Sequence, residues 1–204
     1  MTPRRIYLVR HGETASNVAR VFQTPETPLS ERGIAQAERV ARRLVGCAVS
    51  LVLASDLARA AMTAERVRGA TGAALELEPL LQERNFGALR GRAYAELGFD
   101  AFAPDYEPPE GESWRAFESR VDRAWERIRA AAARCEGSLA VVTHGLVCFS
   151  LASRHLLLPP GAEPRGGFRN TSVTVVESAS PFAVSRLACT AHLGPDDLAD
   201  GGRV

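Results

Sequence analysis

A histidine and an arginine stand side by side near the start of the chain, directly after a short apolar run. The apolar run covers residues 6–9, and the polar segment that follows it reads Arg10-His11-Gly12-Glu13-Thr14. An imidazole can attack phosphorus and form a covalent phosphohistidine, which water later hydrolyses. A neighbouring guanidinium can place two N–H donors on the oxygens of the transferring group. The segment therefore predicts phosphoryl transfer in which His11 is the nucleophile and Arg10 binds phosphate.

Three further apolar runs are each followed by a side chain that suits the same reaction. The three side chains are Arg59 after residues 51–54, Glu83 after Ala74–Leu77 and His144 after Ser138–Thr143. Arg59 would add a second guanidinium, and His144 would donate a hydrogen bond to a phosphate oxygen. Since an alkoxide leaves poorly unless it is protonated, Glu83 is predicted as the acid of the first step and the base of the second.

The arginines also bear on the charge of the histidine. Positive neighbours disfavour a protonated imidazole, so His11 is predicted to stay neutral and nucleophilic near neutral pH. The helix expected after Gly12 would add backbone N–H groups and the positive end of its dipole. His11, His144 and Glu83 could alternatively hold a metal ion as two histidines and one carboxylate. The two arginines would repel a cation there, so we expect no metal.

An alternation of strands and helices must hold these residues together. Short β-rich apolar runs alternate with helical patterns, which predicts an α/β fold, a three-layer α/β/α sandwich with a mostly parallel central sheet. The predicted helices begin near Ser30, Asp56, Ser113 and Gly145. Two closing strands are expected at residues 172–176 and 183–189, and the last ten residues are expected to form a solvated tail. Such a sheet binds ligands beyond the carboxyl ends of its strands, where the predicted reactive groups lie.

The 204 residues are interpreted as a single domain, 1–204, since this length is enough to bury a substantial core. Residues from about 84 to 112 are richer in glycine and proline and weak in periodicity. We interpret them as an excursion that carries one short helix near residues 94–97 and forms a lid or specificity region. Its aromatic side chains are expected to pack this lid.

The composition excludes several classes of chemistry and partner. All 25 basic residues are arginine, so no lysine is present for a Schiff base or a Walker A phosphate loop. The net charge of +1 gives no general attraction to nucleic acid or to an anionic membrane. The apolar runs are too short for a signal peptide or a membrane span, and the four scattered cysteines suggest free thiols. We expect a cytoplasmic protein that binds neither nucleic acid nor membrane.

The motifs of the chain, taken in order, resemble those of the histidine phosphatase superfamily, branch 1, which includes the cofactor-dependent phosphoglycerate mutases. The matching segments follow the order of that family and span residues 6–145. They are Leu8-Val9-Arg10-His11-Gly12-Glu13-Thr14 with Asn17, Pro28-Leu29-Ser30-Glu31-Arg32-Gly33, Ser55-Asp56-Leu57 with Arg59, Leu81-Gln82-Glu83-Arg84 with Phe86 and Gly87, Pro109-Glu110-Gly111-Glu112-Ser113, and Val142-Thr143-His144-Gly145.

By this resemblance, His11 would be phosphorylated and Glu83 would donate the proton. The side chains that line the phosphate pocket would be Arg10, Arg59 and His144. Substrate contacts are implied for Asn17 and Gln23. We also predict substrate contacts at Thr24 and Gly145, although Thr24-Pro25 departs from the glycine that many phosphatases of the family have after this glutamine. The resemblance implies the same α/β/α sandwich and no cofactor. We expect a small phosphorylated metabolite as the partner and a monomer or a homodimer as the oligomeric state.

Departures from the family pattern favour a phosphatase over a mutase. Phe86 stands where mutases usually have a tyrosine, and a lysine that mutases carry further on is absent. Between Gly91 and Pro109 the chain offers Arg92 alone, although a mutase needs extra cations to hold a substrate carboxylate and retain a bisphosphate. The prediction is therefore a metal-independent phosphomonoesterase that works through a phosphohistidine. A phosphoglycerate mutase and a module that binds phosphate without turnover stay open as alternatives.

Overall fold

A six-stranded sheet forms the centre of the molecule. The computed structural model describes residues 4–164 and 167–198, and the sheet lies within them. The strands are β1 (Arg5–Arg10), β2 (Val49–Ala54), β3 (Ala74–Leu77), β4 (Ser138–Thr143), β5 (Val173–Glu177) and β6 (Val184–Cys189). They lie in the order β3-β2-β4-β1-β5-β6. The pairs among β1 to β4 are parallel, whereas β5 and β6 pair in antiparallel, so the predicted mostly parallel sheet is confirmed.

Helices cover both faces of this sheet. They are α1 (Ala15–Ala19), α2 (Glu31–Leu44), α3 (Ala58–Thr71), α4 (Trp114–Arg134), α5 (Gly145–His155) and α6 (Pro195–Leu198). Successive residues of β1 point to opposite faces: Ile6 and Leu8 pack with α4 and α5, while Tyr7 and Val9 pack with α2 and α3. These two buried clusters confirm the predicted three-layer sandwich. Within residues 4–164 and 167–198, no helix has the length and apolar character to cross a membrane.

Local sequence signals set the starts of the long helices. Ser30 caps α2, because its hydroxyl oxygen accepts a hydrogen bond from the backbone N–H of Gly33. Ser113 caps α4 in the same way through the N–H of Ala116. The buried side chains of α4 recur at helical spacing and include Phe117, Val121, Trp125 and Ile128. Burial of each such side chain contributes roughly 1.5–3 kcal/mol to the packing of α4 on the sheet.

The predicted excursion at residues 84–112 contains 3-10 turns instead of regular helices. One of them, Tyr94–Glu96, lies where the short helix is predicted. Arg84 ties the excursion together, because its guanidinium donates to the backbone carbonyl oxygens of Ala101, Tyr106 and Glu112. The segment is therefore held by hydrogen bonds to one buried arginine, and periodic apolar burial contributes little to it.

Most aromatic side chains of the excursion pack around Phe22. The ring centroid of Phe22 lies 4.6 Å from that of Phe86, 4.4 Å from that of Tyr94 and 5.8 Å from that of Phe102. Together they form a small cluster apart from the two main ones. The expectation that aromatic residues pack the lid is confirmed for Tyr94 and Phe102, whereas Phe99 is largely exposed.

The C-terminal end differs from the predicted solvated tail. Within that tail, α6 places Asp197 in a buried position, where its carboxylate forms an ion pair with Arg39 of α2. The same carboxylate accepts a hydrogen bond of 2.9 Å from the backbone N–H of Gly194. No local pattern signals this pair, because the two partners are 158 residues apart in sequence. The rest of the predicted tail, residues 199–204, lies outside the described residues.

We predict that Gly33→Ala destabilises the fold, because a Cβ at Gly33 would lie 1.9 Å from the carbonyl oxygen of Glu13. Backbone would have to move, and overpacking of this kind costs about 1–3 kcal/mol. Urea unfolding measures the free energy of unfolding. Gly69→Ala is the matched control, because nothing lies within 4 Å of a Cβ there, and we expect a gain of about 0.4–1 kcal/mol. Equal stabilities for the two variants would contradict the close approach.

Candidate active site

The carboxyl ends of β1 and β4 lie side by side and bring two histidines together. Arg10 is in register with Thr143, and the backbone N–H of His11 donates to the Thr143 carbonyl oxygen at 2.9 Å. His144 follows Thr143 directly, so the ring centroids of His11 and His144 are 5.1 Å apart. On the other side of β4, β2 leads into α3, which carries Arg59 in its first turn. Residues far apart in sequence thus meet at one edge of the sheet.

Side chains from two helices hold the loop that carries His11. The backbone N–H of Gly12 donates to the hydroxyl of Thr63 on α3 at 3.1 Å. The next N–H, that of Glu13, donates to the side-chain oxygen of Gln36 on α2 at 3.0 Å. These bonds fix the loop to the helices on one face of the sheet, so His11 has a defined position before any substrate binds.

The helix predicted after Gly12 is shorter and begins later than expected. Helix α1 has five residues and is capped by Thr14, whose backbone N–H donates to the side-chain oxygen of Asn17 at 3.1 Å. The three backbone N–H groups after His11 are therefore already bonded, and so short a helix sums few peptide dipoles. The helix N-terminus expected directly after Gly12 is therefore not formed there, and arginine and amide side chains line the pocket.

The backbone also fixes one ring nitrogen of His11 as a donor. Its Nδ1 lies 2.6 Å from the carbonyl oxygen of Gly12, which can only accept a hydrogen bond. The proton of the neutral ring therefore sits on Nδ1, and the lone pair is on Nε2. Nε2 has no hydrogen-bond partner within the described ranges, and the ring lines the pocket at the sheet edge. The imidazole is held in the form that a nucleophile requires.

Two buried guanidinium groups lie beside this ring. Arg10 donates to the carbonyl oxygen of Phe168, and Arg59 donates to that of Thr24 at 3.0 Å; the two side chains belong to residues only 1% and 3% exposed. Burial lowers the pKa of both arginines, that of Arg59 to about 10, while the charge of Glu83 partly offsets the fall. Both groups stay protonated near neutral pH, so the pocket concentrates positive charge.

This environment keeps the two histidines neutral. Burial lowers the pKa of His11 well below its ordinary value, and the charges of Arg59 and Arg10 lower it further. Burial likewise lowers the pKa of His144, again with a contribution from Arg59. The electrostatics therefore agree with the neutral, nucleophilic His11 that the sequence predicts.

Glu83 supplies the carboxyl group of the pocket. One of its oxygens accepts the backbone N–H of Leu146 at 3.1 Å, and the other accepts the N–H of Arg84 at 3.0 Å. Burial raises the pKa of Glu83, and those N–H groups together with Arg59 and Arg10 oppose the rise. A raised pKa increases the protonated fraction near neutral pH, which suits a general acid.

His144 has one bonded and one unbonded ring nitrogen. Its Nε2 lies 2.8 Å from the hydroxyl of Ser55, and its buried Nδ1 finds no partner among the residues that the structure describes. Buried polar atoms in folded proteins are nearly always hydrogen-bonded, so such an atom marks a place where a ligand can bind. When the Ser55 hydroxyl donates to Nε2, Nδ1 carries the ring proton and is a donor.

Of the four predicted substrate contacts, two lie in the pocket wall. Asn17 and Gln23 line it together with the arginines and Glu83. Their side-chain oxygens contact the hydroxyl of Thr14 at 3.2 and 3.0 Å. Their NH₂ groups make no hydrogen bond within the described part of the chain, so both amides can donate to a bound anion.

The other two, Thr24 and Gly145, lie outside that wall. Thr24 contributes its carbonyl oxygen to Arg59, and its hydroxyl pairs with that of Thr27 at 3.2 Å. Gly145 begins α5 and lines a neighbouring cavity of about 230 Å³, which is mostly apolar and shares Phe102 and Leu146 with the pocket. Thr24 therefore positions an arginine, and Gly145 faces a different space.

Asn170 and Thr171, which lie just before β5, complete the site. No pattern in the sequence predicts them as site residues. The side-chain NH₂ of Asn170 donates to the carbonyl oxygen of His11 at 3.0 Å. The backbone N–H of Thr171 reaches the carbonyl oxygens of Arg10 and His11 at 3.1 and 3.3 Å. Since β5 runs antiparallel to β1, its first residues lie at the edge where the parallel strands end. Two polar residues before a strand can be assigned to the site only when the direction of that strand in the sheet is known.

The pocket enclosed by these groups is small, with a cavity volume of about 40 Å³. That space suits a phosphoryl group, whereas the remainder of a metabolite would lie at the mouth. The excursion contributes Arg84, Phe86, Arg90, Tyr94 and Phe102 to the wall. Within residues 4–164 and 167–198, no three His, Cys, Asp or Glu side chains are grouped so that they could hold a metal ion.

Comparison with known proteins shows which family shares this arrangement. The sequence profile of the histidine phosphatase superfamily (branch 1) matches residues 6–187. The chain belongs to this superfamily. A Yersinia pestis protein named "Probable phosphoglycerate mutase GpmB" is 33% identical to this histidine phosphatase over 210 residues, which cover 93% of the chain and 94% of the relative.

Solved structures of similar proteins share the fold of this histidine phosphatase. A mycobacterial glucosyl-3-phosphoglycerate phosphatase in complex with VO3 is 30% identical, with a TM-score of 0.71 over 85% of this chain and 90% of its own. The protein YhfR of Bacillus stearothermophilus is 29% identical, with a TM-score of 0.75 over 93% of this chain and 98% of its own.

We predict that Arg59→Gln raises the pKa of His11, because it removes one of two positive charges that disfavour the protonated ring. An NMR titration of the His11 imidazole in the ligand-free protein measures the change. Arg68→Gln, an exposed substitution on the same helix, is the control and leaves the titration unaltered. A pKa of His11 that is the same in both variants would mean that burial alone depresses it.

Proposed function

We propose that this histidine phosphatase hydrolyses phosphomonoesters of small metabolites through a phosphohistidine and without a metal ion. The observation that carries the proposal is the state of His11. Its Nδ1 is bonded to the Gly12 carbonyl oxygen, its Nε2 is left with a lone pair, and two guanidinium groups lie beside it. A neutral imidazole with a fixed tautomer next to an anion-binding pair is what in-line attack on a phosphate ester requires.

The transferring phosphoryl group would bind between Arg10 and Arg59. Their N–H groups suit its equatorial oxygens, on which charge spreads in the transition state. The NH₂ groups of Asn17 and Gln23, which line the pocket, would donate to the same oxygens. The unbonded Nδ1 of His144, whose ring centroid lies 5.1 Å from that of His11, would also donate to them. Donors that are already fixed in position stabilise this charge without reorganisation during the reaction.

In the first step, Nε2 of His11 attacks phosphorus while the bond from phosphorus to the ester oxygen breaks. Glu83 gives its proton to the departing oxygen, so the product leaves as an alcohol and an N–P bond remains. In the second step, the Glu83 carboxylate takes a proton from water as the water oxygen attacks phosphorus. The N–P bond breaks, its electron pair returns to Nε2, and inorganic phosphate is released.

The excursion at residues 84–112 would select the substrate, since it supplies five side chains at the wall of the pocket. The name of the mycobacterial glucosyl-3-phosphoglycerate phosphatase supports hydrolysis as the reaction. The name of the Yersinia relative favours a second candidate, a phosphoglycerate mutase, in which the phosphohistidine passes its phosphoryl group to a hydroxyl instead of water. Isomerisation of phosphoglycerate that is stimulated by 2,3-bisphosphoglycerate would favour this candidate.

We predict that His11→Ala abolishes hydrolysis of p-nitrophenyl phosphate, with kcat lower by about 10⁴-fold or more, because no covalent intermediate can form. A denaturing quench at alkaline pH after reaction with ³²P-labelled substrate traps a phosphoprotein that later acid treatment hydrolyses in the wild type, and none in the variant. His155→Gln is the control, since His155 pairs with Asp122 and stacks on Trp125 away from the pocket. EDTA leaves the wild-type rate unchanged. Full activity of His11→Ala would overturn the mechanism.

We predict that Glu83→Gln affects substrates according to their leaving groups. The variant cannot protonate an alkoxide, so kcat/KM for an alkyl phosphate such as glycerol 3-phosphate falls by about 10²–10⁴-fold. Nitrophenolate leaves without a proton, so the fall for p-nitrophenyl phosphate is much smaller. Steady-state kinetics on both substrates give the two ratios. Equal losses would assign Glu83 a role in binding or folding and not in proton transfer.

A further inference from the structure

One arginine in the wall of the pocket takes no part in the proposed reaction. Arg90 follows the 3-10 turn Gly87–Leu89 of the excursion, and it is half-buried at the wall that Arg10 and Arg59 also line. Its backbone is fixed, because its own N–H donates to the Gly87 carbonyl oxygen at 3.1 Å and the next N–H along the chain donates to Phe22 at 2.8 Å. The side chain is therefore presented to the pocket from a defined position.

The guanidinium of Arg90 has no hydrogen bond or ion pair with any residue in the described ranges. The positive charge of Arg90 repels that of Arg59 and helps to lower the pKa of Arg59. Arg84 is the other arginine that the excursion contributes to the wall, and it differs from Arg90 in burial and in bonding. Arg84 is 2% exposed, donates to three carbonyl oxygens and stacks on Trp114 at 4.0 Å. The guanidinium of Arg84 is thus used in bonds that hold the excursion together, whereas that of Arg90 is available to a ligand.

The positive charge of Arg90 exceeds what a phosphoryl dianion in this pocket requires. A phosphoryl dianion is matched by Arg10 and Arg59, and Glu83 must be protonated when it acts as the acid, so it then offers no negative charge. A half-buried cation that is repelled by a neighbour and lacks an acidic partner is unfavourable in the free protein. A second negative group on the ligand would remove this cost, because charged pairs in a partly desolvated site are strong.

We propose that Arg90 forms a subsite for a second anionic group, so that the preferred substrate is a phosphomonoester whose leaving group carries a carboxylate or another phosphate. The inference rests on the proposed function, since it takes the phosphoryl group to lie between Arg10 and Arg59. The cavity of about 40 Å³ holds little more than that group, so the leaving group lies along the wall to which Arg90 belongs. One arginine is sufficient to bind such a group bidentately.

The test compares two substrates that differ in charge and have nearly the same shape. Carboxyphenyl phosphate and carbamoylphenyl phosphate are each used as meta and para isomers, because the position of the second anion is then varied on a rigid ring. The wild type is compared with Arg90→Gln and with Arg92→Gln. Arg92 is an exposed arginine two residues further along the same segment, and it does not line the pocket.

We expect the wild type to prefer the carboxylate of at least one isomer. In Arg90→Gln, the ratio of kcat/KM for carboxylate over carboxamide falls by about 10- to 100-fold, the range for a hydrogen bond to a charged group. Arg92→Gln keeps the wild-type ratio. A merely structural role of Arg90 would lower both rates together and leave the ratio unchanged, and that result would overturn the inference.

Equilibrium binding separates this inference from the proposed function. Calorimetry on His11→Ala, with and without Arg90→Gln, gives the Kd of each compound where no turnover occurs. If both compounds are hydrolysed and neither kcat/KM nor Kd shows a preference for the carboxylate, the subsite is overturned and the proposed phosphatase activity is retained. A charge preference in binding that depends on Arg90, in a protein that hydrolyses neither compound, would support the subsite and overturn the phosphatase.

Discussion

Two guanidinium groups and a neutral imidazole share one buried edge of the sheet, and the rest of the structure has to tolerate this arrangement. Arg10 and Arg59 lose hydration and repel each other. The carbonyl oxygens of Phe168 and Thr24 and the single charge of Glu83 compensate only in part. In the proposed function, a phosphoryl dianion would complement the pair far better than one carboxylate does. Its binding would therefore stabilise the folded protein as well as start the reaction.

The groups proposed to act on a phosphoryl group are supported from both faces of the sheet. Thr63 and Gln36 hold the loop of His11 from the helices on one face. Glu83 is held by the backbone N–H of Leu146 in α5, on the other face. The proposed acid and the proposed nucleophile are therefore supported by different layers, and the closely packed sheet between these layers sets the separation of the two groups.

The sequence predicts those parts of the site that follow from buried parallel strands. Continuous apolar runs identify β1, β2 and β4, and the rule that such strands expose their carboxyl ends together identifies Arg59 and His144. Asn170 could not be found in this way, because apolar alternation does not reveal that β5 runs antiparallel. Arg90 lies in a segment without periodicity, whose course depends on the carbonyl bonds of Arg84. The pairing of Asp197 with Arg39 likewise has no local signature.

The bonds from Asn170 and Thr171 to the backbone of the nucleophile loop have a consequence for the newly made chain. Asn170 is 159 residues away from His11, whose carbonyl oxygen it binds. At ordinary rates of translation, the ribosome takes roughly 8–30 s to add that length of chain. During this interval the nascent protein already contains the reactive imidazole, but the loop that bears it lacks its last supports. The loop of His11 therefore gains its last supports only when the antiparallel strands join the sheet.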